Sequence, residues 1–87
     1  MMRLERATNV GPVLAGELRK AGIAYVEDLR ELGAYAAWER VRRINPDRDC
    51  ASSLLALEGA IRGVRWMSLK ASERQKIAAR AAAARLT

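Results

Sequence analysis

Residues 8–18, Thr8-Asn9-Val10-Gly11-Pro12-Val13-Leu14-Ala15-Gly16-Glu17-Leu18, read as a tight turn that opens directly into a helix. Asn9 and Gly11 are residue types that accept positive φ or close backbone approach, and Pro12 is preset for the first helical position. The first amides of a helix have no intrahelical acceptor, so those of Gly11, Val13 and Leu14 face solvent or an anion at the positive end of the helix dipole. A phosphate suits that place. Leu14, Ala15, Leu18 and Ala21 then form one apolar stripe, and Gly22 stands where a left-handed C-cap is expected, with Ile23 folding back onto the stripe.

Working outward, Leu4, Ala7 and Val10 recur at helical spacing, so a short helix over residues 3–7 leads into the turn. Val26, Leu29 and Leu32 space a helix of about two turns with Glu27 and Asp28 in its first turn, and Tyr25 at its N-cap in place of a good capping residue. Gly33 separates it from a helix over 34–44, marked by Tyr35, Trp38, Val41 and Ile44. Asn45-Pro46-Asp47-Arg48-Asp49 is a loop, with Asp49 placed to cap the next helix. Leu54, Leu57, Ala60, Ile61 and Val64 give the strongest stripe, so residues 50–62 are expected to be the central buried helix, ended by Gly63. Gly59 inside it implies close helix packing, expected near Ala15. The last helix starts at Ser68 or at Ser72, the latter with Gln75 as a capping box, and its alanine-rich body buries little area. The expectation is an all-α, compact single domain over residues 1–87 with about five to six helices.

The composition narrows the function. With 87 residues, a net charge of +6 and 51% apolar residues, the chain is a single globular core inclined towards polyanions. Seven of its basic residues but only two acidic ones lie from Cys50 onward, so nearly all of the excess charge is in the second half. Histidine is absent and Cys50 stands alone, which leaves no metal constellation, no internal disulfide and no general base for catalysis beyond the isolated Asp47 and Asp49. No apolar run is long enough to cross a bilayer, and residues 1–10 are polar with no apolar core segment, so no secretory signal is expected. A cytoplasmic, non-enzymatic protein with no cofactor, no small-molecule substrate and no membrane association is expected. Trp38 and Trp66 lie in register with apolar stripes and read as core, and Cys50 as a small helix-start residue.

Val10-Gly11-Pro12-x-x-Ala15-x-x-Leu18 resembles the helix-hairpin-helix motif, in which backbone amides of a hairpin hold a nucleic-acid phosphate. Asn9 replaces its first glycine, and Val13 stands where the motif commonly has lysine, so a phosphate contact falls to amides and to neighbouring Arg19 or Lys20. Over a wider span, Asn9-Val10-Gly11-Pro12, Ala21-Gly22-Ile23, Glu27-Asp28-Leu29-Arg30-x-Leu32-Gly33-Ala34 and Leu55-x-Leu57-Glu58-Gly59-Ala60-Ile61-x-Gly63-Val64-x-Trp66 resemble the C-terminal domain of the TfoX/Sxy family of bacterial competence regulators. The resemblance implies an all-α domain with a helix-hairpin-helix-like (SAM-like) core and an association with natural transformation and DNA. The N-terminal α/β domain of longer family members is expected to be missing here. The expected function is a regulatory module that binds DNA without sequence preference. Its contacts are expected at Asn9, Val10, Gly11, Val13, Leu14, Arg19 and Lys20 around the hairpin, and at Arg74, Lys76 and Arg80 on a basic C-terminal surface. The alternative is a protein-interaction or homodimerisation module that touches no DNA.

Overall fold

The computed structural model describes residues 1–86, and it places the turn of residues 8–11 ahead of the first of five helices: α1 (Pro12–Lys20), α2 (Val26–Leu32), α3 (Ala34–Ile44), α4 (Ala51–Arg62) and α5 (Ala71–Arg85). Asn9 sits in the left-handed region at φ 72°, Gly11 is extended, and Pro12 occupies the first turn of α1. At the other end of α1 the Ile23 and Gly22 amides donate to Leu18 and Arg19 carbonyls at 2.9 and 3.0 Å, with Gly22 at φ 85°. That pair of bonds is a Schellman motif, and it carries Ile23 into the core at 1% exposure.

The expected first helix is reduced to a single 3-10 turn, Leu4–Arg6. Five residues are too few to offset the cost of helix nucleation. The residues before it are used differently, because Arg3 forms an isolated antiparallel bridge with Tyr25. The Val26 amide donates to the Met2 carbonyl at 3.0 Å, and the Met2 amide donates to the Glu27 carboxylate at 2.9 Å. Together with Asp28, whose carboxylate accepts the Tyr25 amide at 3.0 Å, this strap satisfies the start of α2 that Tyr25 leaves without a side-chain cap.

Gly33, at φ 93°, joins α2 directly to α3, and a side chain there would be strained. The buried face of α3 is Ala34, Ala37, Trp38 and Val41, so Trp38 and Val41 lie in the core as expected, Tyr35 packs at its edge, and Ile44 is exposed. Asp49 does not cap α4. Its N-cap is Cys50, and the nearest polar group is Ser53, a buried hydroxyl that donates to the Cys50 carbonyl at 2.8 Å and accepts the Trp38 Nε1 proton at 3.1 Å. The last helix starts at neither Ser68 nor Ser72. A 3-10 turn over Trp66–Ser68 and an extended Leu69, buried in the core, take up that stretch, and Lys70 precedes α5 without a side-chain cap.

α4 is the central helix, packed between α3 and α5. Trp38, Leu4, Leu18, Ile23, Leu29, Leu57, Val26 and Val41 are fully buried around it. α5 contributes mainly Ala81 and Ala84, each about a single buried methyl and so roughly 1 kcal/mol against about 1.5–3 kcal/mol for a leucine. The radius of gyration, 11.8 Å, matches the about 12 Å of one compact body of this length.

Candidate nucleic-acid interface

The turn before α1 is tied to the far end of the chain by one side chain. Asn9 Nδ2 donates to the Val64 carbonyl at 2.9 Å and more weakly to that of Ala56 at 3.4 Å, and Asn9 Oδ1 accepts the Trp66 amide at 3.4 Å. Gly59 makes the tether possible. A Cβ built on it would overlap Asn9 Nδ2 and lie 2.6 Å from the Val64 carbonyl oxygen. The close approach that glycine permits is therefore to Asn9 and residues 64–66, in place of the expected contact with Ala15. Gly63, left-handed at φ 73°, turns the chain out of α4 and into this contact.

The tether leaves a groove of about 400 Å³ beside the turn. Gly11, Pro12, Val13 and Leu14 form one wall; Arg48, Cys50, Ser52, Ser53 and Ala56 form the other. Trp66, expected in the core, is only half-buried and closes the groove, because the 3-10 turn that carries it lies outside the stripe of α4. Two helix N-termini open on this groove, those of α1 and α4, and neither has a side-chain cap. The amides of Gly11, Val13 and Leu14 precede the first intrahelical bond of α1, which runs from Ala15 to the Gly11 carbonyl at 3.0 Å. Nothing lies within 4 Å of a Cβ placed on Gly11, so the space beside that residue is open. Arg48 Nε lies 2.9 Å from the Glu17 carboxylate, which also accepts the Asn45 side-chain amide at 2.6 Å, and this fixes the guanidinium at the groove wall. The Ser53 hydroxyl beside Cys50 holds that thiol below its ordinary pKa, with a smaller contribution from Arg48.

The residues expected from sequence to bind nucleic acid fall into three places. Gly11, Val13 and Leu14 line the groove. Val10 is buried and its amide donates to the Ala7 carbonyl at 3.2 Å, and the Asn9 side chain faces inward, so these two shape the turn. Arg19 and Lys20 lie at the opposite end of α1, about 10 Å along the helix from Pro12. Arg19 is held there by a two-pronged pair with Glu5 at 2.7 and 2.5 Å, and this hydrogen bond lowers the Glu5 carboxyl to a pKa of about 2. On α5, Arg74 donates to the Met67 carbonyl at 2.6 Å, Lys76 is exposed, and the Arg80 guanidinium lies 3.7 Å over the Tyr35 ring.

Arg80 lines a second groove, about 340 Å³, with Tyr35, Leu54, Glu58 and Ile77. Ser52 and Ala56 face the first groove, and Leu54 and Glu58 face the second. Residues two apart on an α-helix are separated by about 200°, so the grooves lie on opposite sides of α4. Among the described residues Arg62 pairs with both Glu58 and Glu73, and Arg65, Lys70, Arg74, Lys76, Arg80 and Arg85 make no direct salt bridge, although Lys70 and Lys76 act on Glu73 from farther away. Arg48, which lines the groove, and Arg65, the chain neighbour of Trp66, were not among the residues expected to contact nucleic acid. Gly59 was the available signal, because the side chain that needs its space, Asn9, also brings Val64 and Trp66, and with them exposed Arg65, to the turn.

No group of three His, Cys, Asp or Glu residues is placed to hold a metal ion among the described residues, and no helix among them is long and apolar enough to cross a membrane. A tethered turn ahead of an uncapped helix, and cations outside salt-bridge reach of any carboxylate among the described residues, belong to a small all-α domain. Residues 1–81 match the TfoX C-terminal domain, and the chain belongs to that family. An uncharacterised protein from Listeria monocytogenes, in a triclinic crystal form, is 35% identical, with a TM-score of 0.81 over 85% of this chain and 83% of that one. A protein of unknown function from the same organism, in a tetragonal form, is 38% identical, with a TM-score of 0.73 over 79% of this chain and 83% of that one. No curated protein matches the chain.

Proposed function

We propose that this domain is a cytoplasmic, non-enzymatic regulatory module, related to competence regulators, that binds DNA through its phosphates. The open, uncapped N-terminus of α1, where the amides of Gly11, Val13 and Leu14 meet the groove, is the observation that carries the reading. Arg48 lines the same groove, exposed Arg65 is the chain neighbour of Trp66 that closes it, and the net charge of +6 supplies the longer-range attraction. Amides and arginines that meet phosphates carry no base information, so binding is expected to be tolerant of sequence.

Anisotropy of labelled DNA across a salt series tests this. Affinity is expected to fall as salt rises, with a log–log slope of about −0.9 per phosphate neutralised on duplex. Arg65→Glu, at an exposed position, should lower the affinity and flatten the slope by about one unit or more. Lys76→Glu, on α5, should do less if the turn is the main contact. Absence of binding to duplex or single-stranded DNA at low salt sinks the proposal. A second reading rests on Val13, an apolar residue 67% exposed at the mouth of the turn, and on the outward alanines Ala79, Ala82 and Ala83 of α5. In that reading these surfaces dock a protein or a second copy, and sedimentation showing a strict monomer at all concentrations removes the homodimer.

A further inference from the structure

The groove between the turn and Trp66 has a feature that contact with a duplex backbone leaves unused. Its walls include Pro12, Leu14, Ala56 and Trp66, all apolar, and its volume of about 400 Å³ falls within the range of small-molecule sites, roughly 300–1,000 Å³. The N-termini of α1 and α4 open on the same groove, with Arg48, paired through Nε to Glu17, in its wall, so one ligand occupying it meets an apolar surface and two positive helix ends together. In a duplex the bases are stacked inside and only sugar and phosphate are presented to a shallow contact. An unpaired nucleotide presents both a phosphate and a π-face that an indole can stack on. An apolar peptide would fill the walls but leave two positive helix ends without an anion.

We infer that this groove seats an unpaired base beside its bound phosphate, so that the domain prefers single-stranded nucleic acid to duplex. The inference rests on the phosphate-binding reading above and adds the form of the ligand. Trp66 is the stacking residue. Trp38 is fully buried, so a change in tryptophan emission on binding reports chiefly on Trp66.

The full chain is titrated at low salt with oligo(dT) and with the matching oligo(dA)·oligo(dT) duplex, following tryptophan emission and label anisotropy. Oligo(dT) is expected to bind more tightly and to quench emission, and duplex to bind with little quenching. Trp66→Leu, which keeps an apolar side chain, should weaken oligo(dT) binding about tenfold and abolish the quenching. Ser52→Leu fills the groove from an exposed position near the start of α4 and should remove the preference for single strands even if Trp66→Leu perturbs the 3-10 turn, with helicity checked by circular dichroism. Equal affinity for both forms with unchanged emission overturns this inference and leaves the phosphate reading standing. Binding to neither form overturns both, and binding of a protein segment in the groove with no nucleic acid bound points to the interaction reading instead.

Discussion

Replacing Gly59 by alanine sets two effects of opposite sign against each other, and the structure decides between them. In an open helix interior, Gly→Ala is stabilising by about 1 kcal/mol, because alanine loses less backbone entropy on folding and has the higher helix propensity. At position 59 the new methyl overlaps Asn9 Nδ2 and sits 2.6 Å from the Val64 carbonyl oxygen and 3.2 Å from the Trp66 nitrogen. Asn9 can swing away, but Val64 O and Trp66 N are backbone, and Val64 is itself bonded through its amide to the Gly59 carbonyl at 2.9 Å. Relief therefore needs the turn after α4 to move. The expected cost is the 2.9 Å Asn9–Val64 bond, about 1 kcal/mol, the two weaker Asn9 bonds, and overpacking of about 1–3 kcal/mol. After the gain in propensity, the net is a destabilisation of about 2 kcal/mol. For a domain of this size that is a fall in Tm of about 8–16 °C. Gly16 in α1 is the internal control: no atom lies within 4 Å of a Cβ there, so Gly16→Ala is expected to stabilise by about 0.5–1 kcal/mol. Urea unfolding followed at 222 nm for both variants is the assay. If Gly59→Ala is as stable as Gly16→Ala, Gly59 does not make room for the tether and the account of the turn is wrong.

The other expectations can be checked with the same measurements. Asn9→Gly keeps the left-handed turn but loses the tether, whereas Asn9→Ala loses both, so the alanine variant should unfold at lower urea by about a further 1 kcal/mol; equal stabilities would show that φ at residue 9 contributes nothing. Glu5 titrates at about 2 in the folded state because of its hydrogen bond from Arg19, below the about 4.3 of an unfolded chain. A carboxyl with a depressed folded pKa stabilises above its unfolded value, and this contribution is lost as the pH falls from about 4.5 towards 2. Glu5→Gln should flatten the acid limb of the stability profile in that window, and added salt should shrink the difference because the pair is exposed; an unchanged acid limb at low salt refutes the pairing.

What the sequence made legible was whatever local backbone chemistry decides. Pro12, Gly22 and Gly33 punctuate α1, α2 and α3 through preferences of single residues, and those boundaries agree with the structure. The amides of the turn follow from the same logic. The features that stayed hidden involve partners far apart in the chain. The start of α2 depends on Met2, the start of α5 on where Leu69 is buried, and the space at Gly59 on Asn9, 50 residues before it. Serine at 68 and 72 offered plausible local starts for α5, but burial of Leu69 outweighs a cap worth about 1 kcal/mol. Arg48 escaped for the same reason, since it shares the groove with the turn only across the fold, and Arg65 follows Trp66, whose amide bonds to Asn9, in being out of reach of local reading.

Asn9 shows why a turn of this kind resists being read as a motif alone. Glycine at that position meets the backbone requirement of the turn, and only that one. Asparagine meets it at φ 72° and also bonds to Val64, 55 residues away, so the geometry of the amides at 11–14 is set partly by the far end of α4. The turn is consequently not a free hinge that closes on a ligand. Its amides are held in place without a ligand, which would lower the ordering cost of the proposed binding and tie the proposed site to the stability of the fold. Changes at Gly59 or Asn9 therefore act on fold and site together, whereas a charge change at Arg65, exposed and without a carboxylate partner among the described residues, acts on the surface alone. Binding measured at position 65 and stability measured at position 59 are the pair of observations that separates what the turn holds together from what it holds on to.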